Sequence, residues 1–232
     1  STSSPNKFTL NLLSKYIGFE DYNTFVLTVA PQTITTSFQT ITNNYVSTVK
    51  HRSGLAINSW IKNVEGINLL ESFIKSDKTI TAIIGEGGAG KSVLLTQFTE
   101  LCIAKKRETL FLSSSYLSKA TGNQTLNEWL GNDKVDILII DGIEETAYNY
   151  SDLKLFFIEL LEFLAAKPKA LKVIISIRPF SWVKLSKLIL KTENEKHWFN
   201  VDFKSQNPMR VSNIPLLNVK DIKISFPPNF NE

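Results

Sequence analysis

The octet Gly85-Glu86-Gly87-Gly88-Ala89-Gly90-Lys91-Ser92 has the residue types and the spacing of a loop that binds phosphate. It fills every fixed position of the pattern G-x-x-x-x-G-K-[ST]. The glycines let the backbone curl so that successive N–H groups point at phosphate oxygens, and the start of the next helix adds further donors, up to Val93. Lys91 would bring an ammonium group to the β- and γ-phosphates, and the Ser92 hydroxyl is a ligand for Mg²⁺. The octet therefore predicts a site for the phosphates of a nucleotide and for Mg²⁺, and it leaves open whether the base is adenine or guanine.

A second candidate group follows the apolar run at residues 135–140, which predicts a buried strand. Asp141 comes directly after this run and would hold Mg²⁺ opposite Ser92, either directly or through water. Glu144 and Glu145 follow within one short turn, and one of the two would orient or deprotonate the attacking water. The sequence leaves open which glutamate has this role.

A third candidate is Arg178, which follows the apolar run at residues 171–177 and precedes Pro179. Proline disfavours helical geometry at the residue before it, so the strand is expected to stop at this point. The arginine would then emerge at the carboxyl edge of the sheet, where open α/β sheets bind ligands. There it would contact the γ-phosphate and distinguish ATP from ADP.

The elements that position these residues alternate between strands and helices from about residue 67 onward. Strands are predicted at 79–84, 109–112, 135–140 and 171–177, with a further strand at 210–214; helices are predicted at 67–74, from 93, at 126–130, 153–166 and 182–190. This alternation predicts an α/β domain, residues 67–232, with a parallel sheet covered by helices on both faces. The segment 1–66 is predicted to be mainly helical, with an extended alternative at 24–36, because apolar residues from Ile34 to Val49 recur on one helix face.

Composition limits the class of protein. The chain has 232 residues, a net charge of +4, and 26 basic residues against 22 acidic ones, so the balance does not favour nucleic acid as a partner. The single cysteine, Cys102, excludes an internal disulfide and is typical of a reducing, cytoplasmic environment. We expect no membrane span, since no apolar run is long enough. Both ends are expected to be cuts through a larger protein.

The run Asp141-Gly142-Ile143-Glu144-Glu145 resembles the extended Walker B segment of NACHT proteins, a branch of the STAND class of signalling P-loop NTPases. The run Ser176-Ile177-Arg178-Pro179 is similar to their sensor segment, although Ser176 and Ile177 stand where Thr and Ser are usual. The resemblance covers residues 67–217, without the winged-helix and repeat regions that normally follow. It implies a switch that holds ADP when closed, exchanges it for ATP, self-oligomerises in the full-length protein and hydrolyses ATP slowly. Such proteins serve antiviral or innate defence.

Three other interpretations remain open from the sequence. A metabolic P-loop kinase is disfavoured because few arginines are present to form a lid: they are Arg52, Arg107, Arg178 and Arg210. A motor-like ATPase that acts on nucleic acid or protein would need an arginine in trans, for which Arg210 is the candidate, and a helical lid. A binding module without turnover is the non-enzymatic alternative.

Overall fold

The structure is a computed structural model that describes residues 37–52, 61–114, 135–146, 150–165, 171–189 and 212–215, together with the helical positions 11 and 15. The chain divides into two compact units, Ser1–Ser37 and Phe38–Glu232, and every element described below belongs to the second. The predictions for residues 24–36 and 126–130 lie outside the described residues, as does most of the segment before residue 37.

Four strands form one parallel sheet. They are β1 (Ile80–Ile84), β2 (Thr109–Ser113), β3 (Ile137–Asp141) and β4 (Lys172–Ile177), in the spatial order β1-β4-β3-β2. All three strand pairs are parallel, and nearly every strand residue is buried. The continuous apolar runs in the sequence are explained by this burial on both faces. The predicted α/β fold with a parallel sheet is confirmed.

In the described part of the chain, five helices lie around the sheet: α1 (Phe38–Arg52), α2 (Val64–Lys75), α3 (Lys91–Ala104), α4 (Tyr150–Ala165) and α5 (Pro179–Ile189). Because side chains alternate along a strand, the sheet supports two separate cores. On one face, α2 and α3 pack on residues such as Ile139 and Ile174. On the other face, α4 and α5 pack on residues such as Ile140 and Ile175. The chain crosses the sheet in one direction from β1 to β2 and in the opposite direction from β2 through β3 to β4. Because crossovers between parallel strands are right-handed, the connecting helices of the two directions lie on opposite faces.

Side chains from outside the sheet cover both of its edges. At the β2 edge, Thr42 of α1 accepts a hydrogen bond from the Phe111 amide and donates to the Thr109 carbonyl, each at 3.0 Å. At the β1 edge, the Asn213 side chain accepts from the Ile84 amide and donates to the Ala82 carbonyl, each at 2.7 Å. These contacts satisfy strand groups that would otherwise form an exposed edge.

The β1 edge differs from the sequence prediction of a last strand at 210–214. Within that range the structure describes residues 212–214, and they are not a strand. The side chain of Asn213 makes the hydrogen bonds to β1 that a neighbouring backbone would make, and the Asn213 amide donates to the Ile84 carbonyl at 2.9 Å. Residues 212–214 therefore contact β1 without forming a regular ladder.

Helix α1 belongs to the same compact unit as the sheet, although the sequence predicts it as part of the segment 1–66. Its predicted apolar face is present, because Ile41 and Val49 are buried and Phe38 and Tyr45 are half-buried. Ile41 joins one core and Val46 joins the other, so α1 packs across the β2 edge of the sheet and contacts both cores.

No helix in the described part of the chain is long and apolar enough to cross a membrane.

Candidate functional site

The strand order brings the three predicted groups to one edge of the sheet. Strand β4 pairs with β1 on one side and with β3 on the other. Asp141 is the last residue of β3, and Arg178 comes directly after β4. The loop starts beside them, because the Gly85 amide donates to the Ile177 carbonyl at 3.2 Å. Since the strands are parallel, these carboxyl ends form one continuous edge, which is where open α/β sheets bind ligands.

The glycine loop is shaped by positive backbone angles at two positions. Gly88 has φ of +79° and Gly90 has φ of +83°, a conformation that other residues adopt at a cost. Gly87 does not have a positive φ, and a Cβ atom added to it would meet nothing within 4 Å. Neither strain nor crowding within the described chain therefore requires glycine at position 87. Position 87 therefore leaves open space on the exposed side of the loop.

The loop presents its polar groups to solvent. Gly85 is buried, Glu86 through Gly90 are exposed, and Lys91 through Val93 are half-buried. Ala89 closes a turn by donating to the Glu86 carbonyl at 3.2 Å, whereas the amides of Gly87, Gly88 and Gly90 donate to no carbonyl among the described residues. Helix α3 begins at Lys91 without a side-chain cap. Its first-turn amides and its dipole are thus available to an anion.

Lys91 is folded back over the loop. Its Nζ atom donates to the Gly85 carbonyl at 2.7 Å and to the Glu86 carbonyl at 2.9 Å. Burial lowers the pKa of Lys91, while the carboxylates of Glu144 and Asp141 act in the opposite direction. Two neutral carbonyls are weak partners for a partly buried ammonium, so a phosphate oxygen would be a better one.

Asp141 lies at the base of the site with 5% of its surface exposed. The Tyr45 hydroxyl donates to Oδ2 of Asp141 at 3.0 Å, and the Ser176 hydroxyl donates to Oδ1. The Gly142 amide in turn donates to Ser176 Oγ at 2.7 Å. Burial raises the pKa of Tyr45, and the Asp141 carboxylate raises it further, so the phenol keeps its proton. Among the described residues, each carboxylate oxygen therefore accepts one hydrogen bond from a hydroxyl group and keeps a lone pair for another ligand.

The two glutamates after β3 occupy different environments in the 3-10 turn Ile143–Thr146. Glu144 has 14% of its side chain exposed, and its Oε2 atom is buried without a hydrogen-bond partner among the described residues. Burial raises the pKa of Glu144, while Lys91 and Arg178 lower it. Glu145 is exposed and folds over Gly142, where an added Cβ atom would lie 2.8 Å from its Cδ. Of the two, Glu144 faces the charged groups of the site.

Arg178 reaches the same turn from the end of β4. Its Nε atom lies 3.4 Å from Oε1 of Glu144, and 56% of its side chain is exposed. Its carbonyl accepts from the Trp182 amide at 2.9 Å, and Pro179 is the first residue of α5. Proline is favoured at that position because its missing N–H has no partner there anyway. The predicted strand end at Arg178 is confirmed, and helix α5 begins immediately after it.

The residues present fit a magnesium ion shared with a phosphate. The described residues contain no group of three or more His, Cys, Asp or Glu side chains that could hold a metal. Magnesium bound to a nucleotide does not need such a group, because one hydroxyl, one carboxylate, phosphate oxygens and water complete its octahedron. Ser92 stands half-buried in the first turn of α3, and Asp141 keeps free lone pairs.

Tyr45 and Ser176 are the polar residues that the sequence did not assign to the site. Tyr45 appears in the sequence only as one member of an apolar helix face. Ser176 appears only as a departure from a motif, although a hydroxyl inside the apolar run 171–177 marks a position that needs a polar partner. The pairing of Tyr45 with Asp141 depends on the position of α1 at the sheet edge, which the periodicity of the sequence does not reveal.

No protein-family model matches this chain, and no curated protein matches it at a significant level.

Proposed function

We propose that this chain carries a Mg²⁺-dependent module that binds ATP and ADP and hydrolyses ATP slowly. The observation that carries the proposal is the convergence of the glycine loop, Asp141, Glu144 and Arg178 at one sheet edge. A loop of open amides, an ammonium group, a buried carboxylate and an arginine are the parts that phosphoryl transfer uses.

Phosphate binding is expected to change the partners of Lys91. In the proposed complex, its ammonium leaves the carbonyls of Gly85 and Glu86, which it now contacts, for the β- and γ-phosphate oxygens. The exposed amides of the loop would hold the same oxygens. Ser92 and Asp141 would hold Mg²⁺, which neutralises the negative charge that develops on the phosphate oxygens. Each oxygen of the Asp141 carboxylate accepts one hydrogen bond and keeps one lone pair, so Asp141 would hold the ion either directly or through water.

Glu144 is the residue that we propose to orient the attacking water. A water-orienting carboxylate needs a free oxygen near the phosphates. Glu144 has a buried oxygen without a hydrogen-bond partner among the described residues, and its charge interacts with that of Lys91. Arg178 is proposed to exchange its contact with Glu144 for the γ-phosphate, so that ATP releases the carboxylate to hold water. With ADP, the contact between Arg178 and Glu144 would persist.

The wider role rests on the resemblance to NACHT proteins stated above. We propose that the module is the nucleotide switch of a larger cytoplasmic signalling or defence protein, and that the whole protein self-oligomerises when ATP replaces ADP. The segments that support this are Asp141–Glu145 and Arg178-Pro179.

The test is calorimetric titration of the chain with ATP and with ADP, each in Mg²⁺ and in EDTA. We expect both nucleotides to bind and Mg²⁺ to strengthen the binding. Asp141→Asn keeps the size of the side chain and removes its charge, so it should make binding insensitive to Mg²⁺. If neither nucleotide binds to the folded wild-type chain, the proposal is wrong. If binding occurs without single-turnover hydrolysis, the module is a binding protein and the hydrolytic part is wrong.

A further inference from the structure

Two hydroxyl groups hold the carboxylate of Asp141, one on each oxygen. Tyr45 Oη donates to Oδ2 at 3.0 Å, and Ser176 Oγ donates to Oδ1. The terminal torsion of an aspartate is broad, so a carboxylate with a single partner can rotate about its Cβ–Cγ bond. Two donors on opposite oxygens select one plane for the carboxylate and leave one lone pair on each oxygen unused.

Both hydroxyls are themselves held in place. The ring of Tyr45 packs edge-on against Phe111, with ring centroids 4.8 Å apart and an interplanar angle of 78°. The helix that carries Tyr45 is fixed to β2 by Thr42, which bonds to two backbone groups of that strand. Ser176 Oγ accepts from the Gly142 amide at 2.7 Å, so its proton is directed at Asp141. The orientation of the carboxylate is thus set by three elements: α1, β3 and β4.

We propose that Tyr45 and Ser176 are positioning residues that set the affinity of the nucleotide complex for Mg²⁺. The inference rests on the proposed function, because it requires Asp141 to take part in holding the ion. A ligand held in the correct plane loses little freedom when the metal arrives, and outer-shell hydrogen bonds of this kind tune metal affinity. Neither hydroxyl belongs to the loop or to the turn after β3, so neither is expected to contact the phosphates.

The dependence on Tyr45 also ties the metal site to helix α1. This helix lies outside the strand–loop–helix segment that carries residues 80–104, and it is the first element of the compact unit. Any change that moved α1 along β2 would withdraw the phenol from Asp141. The metal affinity of the site therefore depends on the position of α1 against β2, in addition to the residues that contact the ion.

The experiment measures Mg²⁺ affinity separately from nucleotide affinity. A fluorescent ATP analogue is bound to the full chain in EDTA, and Mg²⁺ is then titrated in until the signal saturates. Tyr45→Phe keeps the ring and removes the hydroxyl, while Ser176→Ala removes the other hydroxyl. We expect each change to raise the half-saturating Mg²⁺ concentration by roughly 10-fold to 100-fold and to leave nucleotide affinity in EDTA unchanged.

Thr48→Val is the matched control, because it removes a hydroxyl from the same helix that donates to the Asn44 carbonyl at 2.9 Å and not to Asp141. It should not change the Mg²⁺ titration. Near-ultraviolet circular dichroism checks the fold of each variant. Since Tyr45 and Ser176 bind different oxygens, either variant can decide the claim if the other fails to fold.

Three results would overturn the inference: an unchanged Mg²⁺ titration in both variants, an equal loss of affinity with and without Mg²⁺, or tighter Mg²⁺ binding. The second result would indicate a structural role only, and the third would mean that the hydroxyls compete with the ion. If the wild-type chain binds nucleotide in a Mg²⁺-dependent way while the variants match it, only this inference fails. If the wild-type chain binds no nucleotide, the proposed function fails with it.

Discussion

Arg178 Nε lies 3.4 Å from Glu144 Oε1, so the residue after β4 reaches the turn that follows β3. The contact is half open to solvent on the arginine side, and an exposed ion pair contributes little to stability. The contact therefore matters mainly because it positions the guanidinium of Arg178 and the carboxylate of Glu144 beside Lys91. A γ-phosphate entering between them would be the natural competitor for the guanidinium.

Arg178→Ala should remove most of the preference for ATP over ADP. In the proposed complex, Arg178 contacts the phosphate that ATP has and ADP lacks. Paired calorimetric titrations of ATP and ADP on the wild type and the variant measure the ratio of the two affinities. Lys187→Ala is the control, because Lys187 is exposed in the last turn of α5. A ratio that survives in Arg178→Ala would mean that another residue senses the γ-phosphate.

The two glutamates should differ sharply when each is changed alone. Glu144→Gln keeps the shape of the side chain but cannot accept a proton from water, so single-turnover hydrolysis should slow by roughly 100-fold or more. Nucleotide affinity should be preserved. Glu145→Gln should have a small effect, because Glu145 is exposed and folds over Gly142. The opposite order of effects would assign the water-orienting role to Glu145.

Burial of Glu144 should make the stability of the nucleotide-free protein depend on pH. Its pKa is raised, so the native state holds the proton more tightly than the unfolded state does. The contribution of Glu144 to stability is therefore lost as pH rises from the ordinary carboxyl range through the raised value. Glu144→Gln cannot ionise and should have a larger free energy of unfolding than the wild type at neutral pH.

Urea unfolding at about pH 4 and at about pH 8 measures this difference, which should shrink at the lower pH. Glu145→Gln provides the matched control with an exposed carboxyl group. A constant gap between Glu144→Gln and the wild type across the two conditions would show that the cost of burying the charge is negligible.

Most of the sheet was predictable because its strands are short apolar runs that are buried on both faces. The prediction of a strand at 109–112 matches β2 to within one residue, and the end of β4 at Ile177 follows from the proline at position 179. The segment at 212–214 was harder. There the side chain of Asn213 makes the hydrogen bonds to β1 that a neighbouring strand would make, and the spacing of apolar residues does not predict such a contact.

The candidate site divides in the same way. The residues from Gly85 to Ser92 could be proposed from the sequence, because their fixed spacing is itself the pattern of a phosphate-binding loop. The difference between Glu144 and Glu145 was not predictable, because it depends on the course of one 3-10 turn. The contact between Tyr45 and Asp141 spans 96 positions of sequence, and only the packing of α1 against the sheet edge creates it.

The measurement that tests the central claim most directly is calorimetric titration of Mg·ATP into the wild type and Lys91→Ala. Removing the ammonium from the β- and γ-phosphates should cost about 2–4 kcal/mol of binding free energy. Lys75→Ala, an exposed lysine at the end of α2, should bind like the wild type. Circular dichroism establishes that each variant is folded. Weak or absent binding in Lys91→Ala alone is the predicted result, and unchanged affinity in the folded variant would contradict the assignment of residues 85–92 as a phosphate-binding loop.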